Sequence, residues 1–234
     1  MTTLLLLRHG RSSANTKGVL AGRRPGVHLD DVGREQAAKA AERIADIKLD
    51  LMVSSPLERC LETIAPVAAT RRRKLVVDDG FVEADYGSWS GKKLSVLMKE
   101  PLWPVVQNHP SAVTFPGRSG EAMTDMAARA IRAVRRFNTR VGPEGVWLAC
   151  SHGDVIKSVV ADALGLHLDQ FQRIVIDPAS ITVIRYTEQR PFVVVTNSTS
   201  GPLAAYAARA PVTSDAAVGG GAGPSGSAHA RRSR

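Results

Sequence analysis

The sequence predicts an α/β fold, a three-layer α/β/α sandwich around a mostly parallel sheet. Three observations predict it. Apolar runs of strand length recur along the chain, segments with helical spacing separate them, and the two kinds alternate from residue 3 to about residue 200.

Residues 3–8 form a continuously apolar strand, of the kind covered by helices on both faces of a sheet. The small and polar residues from Gly10 to Asn15 make a loop. A helix starts near Asp30, a good N-cap, and Ala37, Ala40, Ala41, Ile44 and Ala45 repeat at its spacing. Leu51 to Val53 is a short strand. The next helix has a full start signal, with Ser55 as N-cap, Pro56 at the first helical position and Glu58 three residues after the cap. Pro66 is expected to kink or end it. Leu75 to Val77 is another short strand. The following stretch, with Trp89, Trp103 and several prolines, reads as short helices and a covering loop. A helix returns over 120–137, with Met123, Met126, Ala127, Ala130, Ile131 and Val134 on its apolar side. Val146 to Cys150 is a strand and Val155 to Leu164 a helix. Ile181 to Tyr186 and Phe192 to Thr196 read as two strands joined by a turn, adding an antiparallel edge.

Residues 1–208 are expected to form one domain. Residues 211–234 hold five Gly, five Ala, four Ser and two Pro, and such a composition buries too little surface to offset its ordering entropy. A disordered, basic Gly/Ala/Ser-rich tail is therefore expected over 209–234.

The balance of 31 Lys+Arg against 22 Asp+Glu gives a net charge of +9 and favours anionic partners in general. Part of it is local, in the run Arg71 to Lys74 and in Arg231, Arg232 and Arg234, which read as solvated surface; nucleic acid is not the expected partner. Cys60 and Cys150 both lie in segments that read as buried, which suits a reducing compartment without a disulfide. The run Leu4 to Leu7 is too short for a signal peptide or a membrane span, and no other apolar run approaches the roughly 20 residues needed to cross a bilayer. A cytoplasmic location with no membrane partner is expected, and self-association as a homodimer stays open.

Two histidine turns occur in the same local setting. Arg8-His9-Gly10 follows the first strand, and Ser151-His152-Gly153-Asp154 follows the strand that begins at Val146. In parallel α/β folds ligands sit beyond the carboxyl ends of the strands, so both imidazoles can face one pocket. Each glycine permits close backbone approach. The surroundings suit a phosphate: Arg8 offers a planar fork of donors, Arg59 lies one turn into a helix whose start also favours an anion, and Asn15 adds a neutral donor. Glu83 and Asp85 follow the third strand, so a carboxyl group can reach the same crevice. For Arg8 and Arg59 the structural alternative is an ion pair with Glu58 or Glu62. Trp89 and Trp103 fit core packing as well as a substrate wall.

The order and spacing of six segments resemble the histidine phosphatase superfamily, in the branch that includes cofactor-dependent phosphoglycerate mutases. They are LLLLRHGRSSAN at 4–15, LDDVGREQA at 29–37, SSPLERCLET at 54–63, EADYGSWSG at 83–91, PGRSGEAM at 116–123 and ACSHGD at 149–154. The resemblance implies a phosphoglycerate mutase-like fold and a nucleophile, His9, that becomes phosphohistidine. It implies that Arg8, Arg59 and His152 clamp the phosphoryl oxygens and that Glu83 protonates the leaving oxygen. Asn15, Gly22 and Arg23 are the substrate contacts it suggests. No metal or cofactor is implied, and the expected partner is a small phosphorylated molecule.

Mutases of the branch carry a longer segment between the positions of Glu83 and Gly120 and usually an Asn after the second His-Gly. Here the segment is shorter, with Trp103, Pro104 and Val105, and Asp154 stands in the Asn position. These departures favour a metal-independent phosphatase over mutase-type transfer. The reading of another class is a protein that binds phosphorylated ligands without turning them over.

Overall fold

The computed structural model describes residues 1–71 and 73–207. The tail expected over 209–234, and Arg72 of the basic run, lie outside the described residues.

The elements follow in the order β1 (Thr2–Arg8), α1 (Ser13–Thr16), α2 (Asp31–Arg43), β2 (Leu51–Ser54), α3 (Glu58–Ala69), β3 (Leu75–Val77), α4 (Leu94–Leu97), α5 (Trp103–Asn108), α6 (Met123–Val141), β4 (Val146–Ser151), α7 (Gly153–Ala163), β5 (Ile181–Tyr186), β6 (Pro191–Ser198) and α8 (Ala204–Ala207). Among the described residues the strands form one sheet in the order β3-β2-β4-β1-β5-β6. The first four run parallel, whereas β5 is antiparallel to both β1 and β6, which gives the antiparallel edge that the alternation pattern suggested.

The leucine run of β1 shows why the sheet needs two helical layers. Successive side chains of a strand point to opposite faces. Leu4 and Leu6 join Val53, Trp147 and Ala149 against α6 and α7, while Leu5 and Leu7 join Met52 and Leu148 against α2 and α3. The helices turn most of their predicted apolar positions inward, Ala37 and Ala40 on α2 and Met126, Ala130 and Val134 on α6, whereas Ala45 lies past the end of α2 and is exposed. Trp89 belongs to the first of these cores and stacks on Trp103 with ring centroids 6.2 Å apart, so both are packing residues.

The sequence expectations need correction at four places. The first loop contains a turn of helix, α1, capped reciprocally by Ser12 and Asn15. Helix α3 begins at Glu58 with Leu57 at the N-cap position and no side-chain cap. Ser55 is not its N-cap residue: its hydroxyl accepts from Leu57 N only at 3.4 Å and pairs more closely, at 2.8 Å, with His152 Nε2. Pro66 lies inside α3, which continues to Ala69. A proline in a helix interior costs about 3 kcal/mol. Ile64 and Val67 on either side are fully buried in the second core, and burying each contributes about 1.5–3 kcal/mol, enough to offset it. Arg71 reads as surface charge in the sequence but caps the end of α2 through Ile44 O and Ile47 O.

Candidate active site

The parallel register sets the two histidines side by side. Arg8 at the end of β1 pairs with Ser151 at the end of β4, so the next residues, His9 and His152, leave adjacent strands at the same level. Their ring centroids are 5.2 Å apart. Gly10 must be glycine, since a Cβ there would meet Gly33 O of α2 at 2.6 Å. At Gly153 a Cβ meets only the Arg8 guanidinium, at 3.7 Å, which is ordinary contact.

Both imidazoles are buried and oriented by specific partners. His9 Nδ1 lies 2.7 Å from Gly10 O, so it carries the proton and donates to that carbonyl, leaving the Nε2 lone pair free for attack. Burial first, and the Arg59 and Arg8 charges second, hold His9 well below the ordinary histidine range. It is therefore neutral at pH 7. His152 is held down by the same causes. Its Nδ1 accepts from Arg59 Nη2 at 3.1 Å and its Nε2 pairs with Ser55 Oγ at 2.8 Å.

The arginines close the other sides. Arg8 donates from Nη1 to Ile176 O at 2.5 Å, and Arg59 from Nη2 to Gly22 O at 2.9 Å. Arg8 Nε and Arg59 Nη1 are buried and, among the described residues, have no hydrogen-bond partner. Two orphaned cationic donors beside one neutral imidazole are costly unless an anion completes them. The rival ion pairs do not form: Glu58 accepts from Gly26 N and Glu62 from Leu29 N and His28, so both carboxylates pin the 26–29 loop.

Glu83 is the carboxyl group that reaches the site. Its Oε2 is 4.0 Å from His152 Nδ1, and its Oε1 accepts from Ala84 N at 3.0 Å. Desolvation by burial, then the nearby Asp154 charge, raise its pKa to about 7. Asp85, the alternative, folds back to accept from Gly87 N and Ser119 Oγ. The segment carrying Glu83 is clamped from outside: Arg23 and Arg129 donate to Glu83 O, and both also bond the Glu121 carboxylate. Ser151 Oγ adds a bond to Phe81 O at 2.7 Å, tying the end of β4 to the same segment.

Arg8, His9, Arg59, Glu83 and Asp154 border one cleft of about 190 Å³ with Asn15 and the backbone of Gly22 at its edge. Asn15 Oδ1 serves the Ser12 cap, which leaves its Nδ2 as the group for the cleft. Arg23 is the one expected contact placed otherwise: two of its nitrogens are committed to Glu83 O and Glu121, so it supports Glu83 and is not held open for substrate. Three residues of the site were not read as such in the sequence: Ser55, buried behind His152, and the cleft-lining pair Tyr86 and Asp154, joined by a 2.8 Å hydrogen bond from the phenol to Asp154 Oδ2. Asp154 was legible only as a departure from the Asn usual in the mutases of the branch. Ser55 and Tyr86 left no signal, because their partners are far away in sequence. Among the described residues no cluster of three His, Cys, Asp or Glu is placed to hold a metal ion.

A family model of the histidine phosphatase superfamily (branch 1) matches residues 4–199. The chain belongs to that family. Among relatives of this branch 1 member, a bifunctional protein of Mycobacterium tuberculosis is 34% identical over 191 residues, covering 79% of this chain and 50% of the relative. The chain thus spans about half the length of the curated relatives it matches first. Phosphoserine phosphatase 1 of Hydrogenobacter thermophilus is 28% identical, with 85% of this chain and 93% of that protein covered. Of solved histidine phosphatase-like folds, Bacillus stearothermophilus YhfR superposes with a TM-score of 0.79 at 26% identity, covering 86% of this chain and 98% of that one. A mycobacterial glucosyl-3-phosphoglycerate phosphatase solved with VO3 gives 0.73 at 25% identity, covering 84% and 98%.

Proposed function

We propose that the chain hydrolyses phosphate monoesters of small molecules through a phosphohistidine on His9. The observation that carries this is the pair of buried donors, Arg8 Nε and Arg59 Nη1, without a partner among the described residues, beside a neutral His9 whose Nε2 is free. A phosphoryl group supplies the oxygens these donors lack.

The steps follow from the groups present. His9 Nε2 attacks phosphorus in line while Nδ1–H stays on Gly10 O, which stabilises the positive ring that forms. Arg8, Arg59 and His152 meet the charge on the equatorial oxygens, where most of the catalysis of phosphoryl transfer lies. These groups supply the charge that a metal ion provides in other phosphotransferases, so a metal-independent reaction is the expected one. Glu83, with a pKa of about 7, is protonated in a large share of molecules at neutral pH and gives its proton to the departing alkoxide. The resulting carboxylate then takes a proton from the water that attacks the phosphoenzyme. Phosphate leaves, and Glu83 is again protonated.

Water is the acceptor that the shortened 83–120 segment supports, and three relatives carry phosphatase names. Arg23 belongs to the support of Glu83, and Asn15 and Gly22 to the edge that meets the substrate. Among the described residues no helix is long and apolar enough to cross a membrane, and a cytoplasmic location is the reading that fits two buried free thiols.

The test is phosphate release from a panel of monoesters with excess chelator present, run with wild type and His9→Ala in parallel. Turnover lost in the variant supports the reading. Equal turnover in both, or isomer interconversion of phosphoglycerate that outpaces phosphate release, overturns it.

A further inference from the structure

A second cavity of about 250 Å³ adjoins the cleft, sharing Arg8, Gly153 and Asp154 with it and adding Lys157 and Gln172. Lys157 stands one turn of α7 beyond Asp154. The lysine is half-buried, its Nζ 3.0 Å from Gln172 Oε1 and 5.4 Å from the centroid of the Phe171 ring. Among the described residues the lysine ion pair is that of Lys92 with Glu100, and Lys157 makes none. A neutral amide and an aromatic face hold the ammonium in place without an ion pair. Val175, 61% exposed, gives the cavity an apolar outer edge.

The two cavities are joined in an order that suits a substrate. Glu83 borders the first and feels the charge of Asp154, Asp154 borders both, and Lys157 borders only the second. A leaving alcohol protonated by Glu83 would therefore extend past Asp154 toward Lys157. Asp154, with one oxygen held by Tyr86, has its other oxygen as an acceptor for a hydroxyl on the way.

We propose that this annex receives the leaving group, and that Lys157 selects phosphate esters whose alcohol carries a second anionic group such as a carboxylate. The inference rests on the monoesterase reading of the first cleft, and its test separates the two. Glycerol 3-phosphate and 3-phosphoglycerate differ in whether the far end of the alcohol is a hydroxymethyl group or a carboxylate. Calorimetric titration of His9→Ala with each, alone and combined with Lys157→Gln or Lys157→Arg, reads the annex without turnover.

A hydrogen bond to a charged group is lost in Lys157→Gln, so the preference for 3-phosphoglycerate is expected to fall about tenfold or more. Lys157→Arg is expected to keep it. Loss of affinity to the same extent for both probes, or no preference before mutation, overturns the annex. If the preference holds while wild type releases phosphate from no ester, the annex stands and the hydrolytic reading falls.

Discussion

Ser55 Oγ lies 2.8 Å from His152 Nε2, joining the residue after β2 to the residue after β4. A hydroxyl can both donate and accept. With Arg59 Nη2 donating to His152 Nδ1, the imidazole proton sits on Nε2 and the serine accepts. When a phosphoryl oxygen replaces that arginine contact, the proton can move to Nδ1 and the serine can donate instead. Ser55 thus supports His152 in either tautomer.

Ser55→Ala is expected to lower kcat by about 10- to 100-fold, the cost of a misoriented group beside the reacting centre. Its KM for a monoester should change much less. Steady-state kinetics on the variant decides it, and a wild-type kcat would show that the ring is positioned without the serine.

Glu83→Gln removes the acid but keeps the shape. For an alkyl phosphate kcat is expected to fall by about 10²- to 10⁴-fold. For p-nitrophenyl phosphate, whose leaving group needs no proton, the loss of the phosphorylation step is smaller. Comparing burst rates on the two substrates checks this, and equal losses would remove Glu83 from the acid role.

The alkaline side of the pH profile should report the same carboxyl group. With a pKa of about 7, protonated Glu83 disappears as pH rises through that value, and kcat/KM for an alkyl ester falls with it. Asp154 is the second cause of the raised value, after burial. Asp154→Asn should therefore move the descending limb to lower pH, and an unmoved limb would contradict the coupling.

A buried carboxyl group with a raised pKa also affects stability. Relative to an ordinary carboxyl of about 4.5, folding favours the protonated form, so this contribution is full below about 4.5 and is lost as pH rises to about 7. Glu83→Gln carries no such loss. Its melting temperature should gain on wild type between pH 4.5 and 7.5, and a constant difference across that range would show that Glu83 does not titrate there.

Much of this was readable from sequence because the fold's logic is local. The apolar run at Leu4 to Leu7 and the Asp30 cap, which accepts from Gly33 N, each follow from short-range rules. His9 and His152 came together because both end parallel strands, a relation that alternation alone suggests. Ser55 shows the limit: in sequence it has every feature of an N-cap, but its hydroxyl pairs most closely with His152 from the neighbouring strand and keeps only a 3.4 Å contact with Leu57 N. Arg23 shows the same limit. It follows Gly22 at the cleft edge, yet Glu121 and the carbonyl of Glu83, both distant in the chain, take up its guanidinium. Pro66 does not end α3, because burial around it outweighs its cost, which a proline rule cannot anticipate.

The central claim is that phosphorus is bonded to His9 during turnover. Rapid quenching with alkali after mixing with a labelled monoester, followed by peptide mass spectrometry, tests it most directly. The account predicts an acid-labile, alkali-stable phosphoryl group on the peptide containing His9, absent in His9→Ala and longer lived in Glu83→Gln relative to its rate of formation. Label on another residue, or phosphate release at full rate with no phosphoenzyme in either protein, would contradict it.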